Sequence, residues 1–210
     1  MSVFVKEKQM KRVAKIFSMV LHPFFVPIYV VALMLFLNTI YLYYPMRLKV
    51  YLIWVVTLYS TVLPMLTVAL LKRLQRLRGR EIPKRYGMTV VMVVSACCFM
   101  LCAMTMMKAP SLVMFRKIAV AAALCNLFCL GASYFTRVST HLTAMGAAVA
   151  LFVVLNIAGE QAMFWVLIAT LLAAGGLASV RLYMGRHRSL QLLIGFVGGF
   201  AMGVISLLWI

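Results

Sequence analysis

Residues 142–180 read LTAMGAAVALFVVLNIAGEQAMFWVLIATLLAAGGLASV, a stretch in which Glu160 is the single charged side chain. About 18 or more consecutive apolar residues can cross a bilayer as a helix, so this stretch has room for two crossings that turn at Glu160. The whole chain has the same character. Of its 210 residues, 66% are hydrophobic and 11% are charged, whereas a soluble domain carries about 25% charged residues. The composition predicts an all-α fold, a polytopic transmembrane helical bundle.

The other apolar runs are similar in length, and about six to seven membrane helices account for them. The predicted spans cover 16–37, 48–71, 88–107, 117–136, 142–158, 162–180 and a final run that ends at Ile210. The first run is too long for the core of a signal peptide and has no small-residue cleavage site after it, so we expect a retained helix. Residues 1–15 form a basic lead, and residues 16–210 form a single integral-membrane domain.

The final apolar run contains a regular spacing of small residues. Gly195, Gly199 and Gly203 recur every four residues and therefore share one face of a helix. This small-xxx-small pattern predicts that the last helix packs closely against a neighbour.

The charge balance is strongly basic. Lys and Arg number 21, Asp and Glu number 3, and the formal net charge is +18, with no aspartate in the chain. Basic loops that hold a membrane protein against anionic lipid account for part of this excess. A nucleic-acid partner is not expected, because it would need a soluble basic face. Without aspartate, the chain also lacks the clustered carboxylates that hold Mg²⁺-diphosphate in membrane prenyltransferases, and it lacks a paired-carboxylate hydrolase site.

Three polar patches lie between the predicted spans, at 72–86, 137–141 and 181–188. Two spans separate each patch from the next, so all three are expected on one membrane face. His141 and His187 lie in these patches. Arginines present planar donors that match phosphate oxygens, and histidine can serve as nucleophile or general acid. Such a face, without carboxylates, suits metal-independent phosphoryl transfer from a lipid whose phosphate lies at the interface.

The patches resemble the signature of the type 2 phosphatidic acid phosphatases, the PAP2 or lipid phosphate phosphatase superfamily: K-x6-R-P, P-S-G-H and S-R-x5-H-x3-D. The last part runs here from Ser179 through Arg181 and His187 to Gln191. Its R-x5-H spacing is intact, and glutamine stands where the family has aspartate. The likeness covers about residues 72 to 200 and fits a divergent bacterial membrane member.

The other two parts of the signature are less regular. The second part reads VSTH, with Ser139 and His141 at the family's offsets and threonine in place of glycine. The first part has Arg73 and Arg80 at the family's spacing, with arginine in place of lysine, and Pro83 follows three residues later rather than directly. Lys72 is an alternative first cation, one residue out of register.

Carried over by position, the resemblance implies that His187 is the nucleophile, that His141 is the general acid and that Gln191 orients His187. It implies that phosphate is bound by the remaining matched residues, which are Arg73, Arg80, Ser139 and Arg181. It also implies a PAP2-like helical core with its active site at the membrane surface, and neither metal nor cofactor. A glutamine cannot stabilise an imidazolium by charge, so slower turnover is expected. The third histidine, His22, matches no part of the signature, and a structural role is expected for it.

The expected activity is removal of phosphate, through a phosphohistidine intermediate, from a membrane lipid phosphate or diphosphate. Phosphatidic acid, phosphatidylglycerol phosphate, a polyprenyl diphosphate and a lipid A type are the substrates considered. The alternative is a non-catalytic protein that binds lipid phosphate as a scaffold or transport component. The expected location is the inner membrane of a bacterium; the lipid species and the oligomeric state stay open.

The side of the membrane that the patches face also stays open. With seven crossings, the patch face carries 16 Lys and Arg and the other face carries five. The positive-inside rule then places the patches in the cytoplasm, whereas most bacterial members of the family are expected to act on the outer face. If the first run does not cross, the assignment could invert.

Overall fold

The computed structural model describes residue 14 and residues 16–78, 84–107, 109–136, 138–185 and 188–209. All regular structure in these residues is helical, and no strand occurs among them. Six of the helical segments are long and apolar enough to cross a membrane. The predicted all-α polytopic bundle is therefore confirmed, and the chain is an integral membrane protein.

The helices are numbered here in chain order. The first span consists of α3, Met46–Thr57, a π-helical turn, Leu58–Val62, and α4, Leu63–Arg78. It is preceded by α1, Val26–Leu37, and by the short α2, Thr39–Leu42. The other five spanning helices are α5, Lys84–Thr105; α6, Val113–Ala132; α7, Thr140–Ile157; α8, Met163–Tyr183; and α9, Ser189–Trp209.

The first apolar run does not form the continuous helix expected over 16–37. Residues 16–20 are helical, the chain turns between Leu21 and Phe25, and α1 begins at Val26. Pro23 explains the break, because proline lacks the N–H that a continuing helix needs and its ring clashes with the preceding turn. With 12 residues, α1 is about 18 Å long and does not match a hydrocarbon core of about 30 Å.

The helix that ends the described chain, α9, packs most closely against α7. A Cβ atom added to Gly199 would collide with the backbone of Thr143, and one added to Gly195 would lie 3.0 Å from the carbonyl oxygen of Ser139. A Cβ on Gly203 would lie 2.9 Å from the Cβ of Ala150. The close approach predicted from the glycine spacing is confirmed, and it holds the start of α7 against α9.

The stretch 142–180 turns where its sequence indicates. Between α7 and α8, Gly159 has a φ of +97°, a backbone conformation that side-chain-bearing residues rarely adopt. Glu160 accepts a hydrogen bond of 2.6 Å from the Thr39 hydroxyl, which ties this turn to α2. Because α7 and α8 cross in opposite directions, the start of α7 and the end of α8 lie together at the membrane face opposite the Glu160 turn.

Candidate functional site

The end of α8 places a buried arginine at the membrane face. Arg181 occupies the last turn of α8, where a cation is favoured by the partial negative charge of the helix C-terminus. Its side chain is only 6% exposed. The Nη2 atom donates a hydrogen bond of 3.2 Å to the hydroxyl of Ser18, which belongs to the helical stretch before α1. The N-terminal part of the chain therefore holds a guanidinium of the predicted phosphate site.

The start of α7 carries a buried hydroxyl. Ser139 is the N-cap residue of α7, and its side chain is 1% exposed. An N-cap serine commonly accepts a hydrogen bond from a backbone N–H in the first turn, but here the side chain makes no such bond. Its Oγ has no hydrogen-bond partner within the described part of the chain. A buried hydroxyl at a helix N-terminus, where N–H groups favour an anion, is suited to a ligand oxygen.

His141 lies two residues after that cap and is also buried, with 9% of its surface exposed. Its Nδ1 atom is 3.4 Å from the hydroxyl oxygen of Thr140. The His141 ring meets the ring of His22 edge to face, with centroids 5.1 Å apart and an interplanar angle of 77°. The two histidines form one unit although they come from distant parts of the chain.

His22 lies at the break before α1, directly before Pro23. Its Nδ1 accepts a hydrogen bond of 3.4 Å from the backbone N–H of Phe24, which favours the tautomer with the proton on Nε2. Burial, and then the positive charge of Arg181, lower the pKa of His22 below its usual value. His22 is therefore the residue that connects His141 with Arg181.

His22 matches no part of the predicted signature, and only its contacts in the folded protein connect it with the predicted site residues. A signal was present, because a histidine directly before a proline inside an apolar run marks a helix break. A break at the membrane face leaves the side chains of the turn near the polar ends of neighbouring helices. Which neighbours they meet depends on how the helices are arranged.

Six of the seven predicted site residues fall into three groups. His141 and Arg181 come together around His22 and Ser18, and Ser139 lies two residues before His141 at the start of α7; we call these five residues the polar cluster. Arg73 is exposed near the end of α4 and is not among the residues gathered there. Arg80 and His187 lie outside the described residues.

Gln191, the third predicted catalytic residue, lies in the first turn of α9. Its Oε1 atom accepts a hydrogen bond of 3.2 Å from the backbone N–H of Arg188. A glutamine three residues after the N-cap that reaches back to the N-cap N–H is half of a capping box, which stabilises the start of a helix. The described structure thus gives the Gln191 oxygen a helix-capping partner.

A cavity of about 350 Å³ lies beside the polar cluster. His22 and Thr140 line it at the cluster, and apolar side chains of α5, α6 and α7 line most of the remainder. Its volume lies within the range of about 300 to 1,000 Å³ that is usual for small-molecule sites. The site therefore combines a basic, histidine-containing end with an apolar interior.

Over the part of the chain that the structure describes, no group of three His, Cys, Asp or Glu side chains is arranged to hold a metal ion. Comparisons with protein-family models, with curated proteins and with solved structures found no match to this chain.

Proposed function

We propose that this protein is a metal-independent membrane phosphatase that removes phosphate from a lipid phosphate or diphosphate, in the inner membrane of a bacterium. The observation that carries the proposal is the meeting of His141 and Arg181 around His22, which lines an apolar cavity, with Ser139 two residues before His141. His141 and Arg181 belong to two separate parts of the signature, on different helices. Their meeting at one membrane face supports the lipid phosphate phosphatase resemblance.

The polar cluster has donors suited to phosphate. The Arg181 guanidinium carries a permanent charge and several N–H groups, and the Ser139 hydroxyl and the N-terminus of α7 add uncharged donors. Burial makes each of these interactions stronger than it would be in water. Charge that builds on the phosphoryl oxygens during transfer would be stabilised by donors that are already in place.

In the proposed reaction, His187 and His141 carry out the chemical steps. His187 attacks phosphorus, the bond between phosphorus and the lipid oxygen breaks, and His141 gives its proton to that leaving oxygen. Water then attacks the phosphohistidine and transfers a proton to His141, which releases inorganic phosphate and frees His187. What supports the role of His187 is its sequence spacing from Arg181, which lies in the last turn of α8 and belongs to the polar cluster.

A second function is favoured by Gln191. Its side-chain oxygen is engaged by the Arg188 N–H, and an amide has no charge with which to stabilise an imidazolium. A site with these properties would bind a lipid phosphate without turning it over. The alternative function is therefore a non-catalytic lipid-phosphate-binding protein, a scaffold or a transport component.

Phosphate release by the full chain, purified in detergent, distinguishes the two functions. The substrates are phosphatidic acid, phosphatidylglycerol phosphate and a polyprenyl diphosphate, each assayed in the presence of EDTA. We expect His187→Ala to lower kcat/KM by about a thousandfold or more, and an acid-labile phosphohistidine to be trapped only in the wild type. Arg188→Ala, the exposed neighbour, is the matched control and should keep its activity. Equal rates for wild type and His187→Ala would exclude the mechanism, and binding without release would favour the alternative.

A further inference from the structure

The cavity beside the polar cluster extends far into the membrane. Along α7 its lining runs from Thr140 to Leu151, along α6 from Cys129 to Ile118, and along α5 from Met88 to Phe99. At 1.5 Å per residue, each of these three stretches is about 16 Å long. The cavity thus descends from the membrane face through about half of the hydrocarbon core.

The fourth side of the cavity is formed by the broken N-terminal segment. Side chains from His22 to Val30 line it, so the turn at Pro23 and the start of α1 close the space between α5 and α7. This segment precedes the three motifs of the predicted signature. It brings His22 to the point where the apolar cavity meets the polar cluster, since His22 lines the cavity and also contacts His141.

We propose that this cavity binds one hydrocarbon chain of the phosphate-bearing lipid, with His22 at the junction, where its Nε2–H donates to a phosphate oxygen. The identity of the head group rests on the proposed function. The chain site itself rests on the depth of the cavity, its apolar lining and its continuity with the polar cluster. The ligand class is a lipid with a terminal phosphate and a chain long enough to fill about 16 Å.

A chain enters this cavity from a bilayer that is as apolar as the cavity itself. The hydrophobic effect therefore contributes little to the preference for the cavity over the membrane. The gain is positional, because a chain held along α7 fixes the phosphate beside Arg181 and His141. We therefore expect the length and shape of the hydrocarbon chain to change kcat/KM for the lipid.

Ala144 is the best position at which to fill the cavity. It lies one turn below Thr140 on α7, lines the cavity and is half-buried. The α7 residues nearest to Gly195, Gly199 and Gly203 are Ser139, Thr143, Ala147 and Ala150, and Ala144 is not among them. Ala144→Phe therefore occupies the chain site and leaves the glycine interface unchanged. Ala122→Leu fills the same cavity from α6 with a smaller side chain, and Ala201→Phe, on an exposed side of α9, is the matched control.

The test compares two substrates with the same phosphate, a tetradecyl phosphate and the water-soluble butyl phosphate. We expect Ala144→Phe and Ala122→Leu to lower kcat/KM for the long chain by about tenfold or more, and to leave butyl phosphate within about twofold. Ala201→Phe should behave as wild type on both. Gel filtration and the melting temperature identify any variant that fails to fold. Unchanged long-chain activity in the folded filling variants, or an equal loss on both substrates, would overturn the chain site.

Binding of a non-hydrolysable tetradecyl phosphonate, measured by native mass spectrometry, separates this proposal from the proposed activity. If the wild type binds the phosphonate but releases phosphate from no substrate, and Ala144→Phe abolishes binding, the chain site is supported and the proposed phosphatase activity is excluded. If wild type and Ala144→Phe bind the phosphonate equally, the chain site is excluded, whether or not the protein releases phosphate. Absence of both binding and release in the wild type would overturn both proposals.

Discussion

The rings of His22 and His141 meet edge to face with their centroids 5.1 Å apart, although they come from distant parts of the chain. One lies at a proline-induced helix break and the other in the first turn of α7. Arg181 acts electrostatically on His22 from the end of α8. The pair therefore depends on three separate segments, and its disruption is the most direct test of the site.

Substitution of His22 should reduce phosphate release. We expect His22→Ala to lower kcat/KM by about ten- to a hundredfold, because a hydrogen-bond donor to phosphate is lost. His22→Gln should recover part of the loss, since the glutamine amide nitrogen can lie near the position of Nε2. Steady-state kinetics on a lipid phosphate give the comparison. Wild-type kinetics in His22→Ala would show that the residue is only structural.

Ser139→Ala should lower activity without lowering stability. The Ser139 hydroxyl is buried and has no hydrogen-bond partner in the described chain, so its removal should leave the protein equally stable or stabilise it by up to about 1 kcal/mol. Activity should fall, because a donor to phosphate is removed. Thermal unfolding in detergent and phosphate release provide the two measurements.

Ser206→Ala is the matched control for Ser139→Ala. The Ser206 hydroxyl is equally buried, but it donates a hydrogen bond of 2.7 Å to the carbonyl oxygen of Lys117. Its loss should lower stability by about 1 kcal/mol and leave kcat/KM unchanged. If Ser139→Ala lost stability as Ser206→Ala does, a structural role for the Ser139 hydroxyl would be indicated.

Arg181→Lys should be nearly as damaging as Arg181→Ala. Lysine keeps the charge but lacks the planar set of donors that can contact phosphate and Ser18 together. We expect each variant to lose about a hundredfold in kcat/KM. Arg73→Lys, at an exposed position on α4, should change activity little if the polar cluster is complete without it. A large loss of kcat/KM in Arg73→Lys would show that Arg73, near the end of α4, belongs to the site.

The stability of the protein should fall as the pH is lowered through the titration of His22. The pKa of His22 in the folded protein lies below its usual value of about 6.5 because of burial and the nearby charge of Arg181. The folded state therefore binds this proton less readily than the unfolded state. The corresponding stability is fully present above about pH 6.5 and is lost as the pH falls through the folded pKa.

The variant His22→Gln isolates this pH effect. The ionisable side chains identified around His22 are His141 and Arg181, and only the histidine titrates in this range. Melting temperatures between pH 5 and pH 8, compared for the two proteins, should show a steeper acid-side decline in the wild type. Parallel profiles would mean that His22 keeps its usual pKa.

Gly199→Ala should destabilise the bundle and disturb the site. The added methyl group would collide with the backbone of Thr143, one turn below Ser139, so α7 and α9 would have to separate. Overpacking of this kind typically costs about 1–3 kcal/mol. Gly175→Ala, where a Cβ meets open space, should be neutral or slightly stabilising. Similar melting temperatures for both variants would contradict the close approach of the two helices.

Local patterns predicted much of the architecture. The turn at Glu160 and the close packing at Gly195, Gly199 and Gly203 follow from hydropathy and periodicity. The common face of the three polar patches stays a prediction from the parity of membrane crossings. The break at Pro23 was also encoded locally, but the high hydrophobicity of 16–37 concealed it. A hydropathy average does not register one missing backbone donor.

The amino-acid sequence by itself determined that this chain is a basic, all-helical membrane protein and which end of the bundle carries Ser139, His141 and Arg181. Only the tertiary structure decided that His22 joins them, that Gln191 caps its own helix and that an apolar cavity begins at the cluster. The physical reason is that hydropathy and spacing act along one helix at a time. The neighbours of a side chain at a helix break, and the space left between helices, depend on the packing of all the helices together.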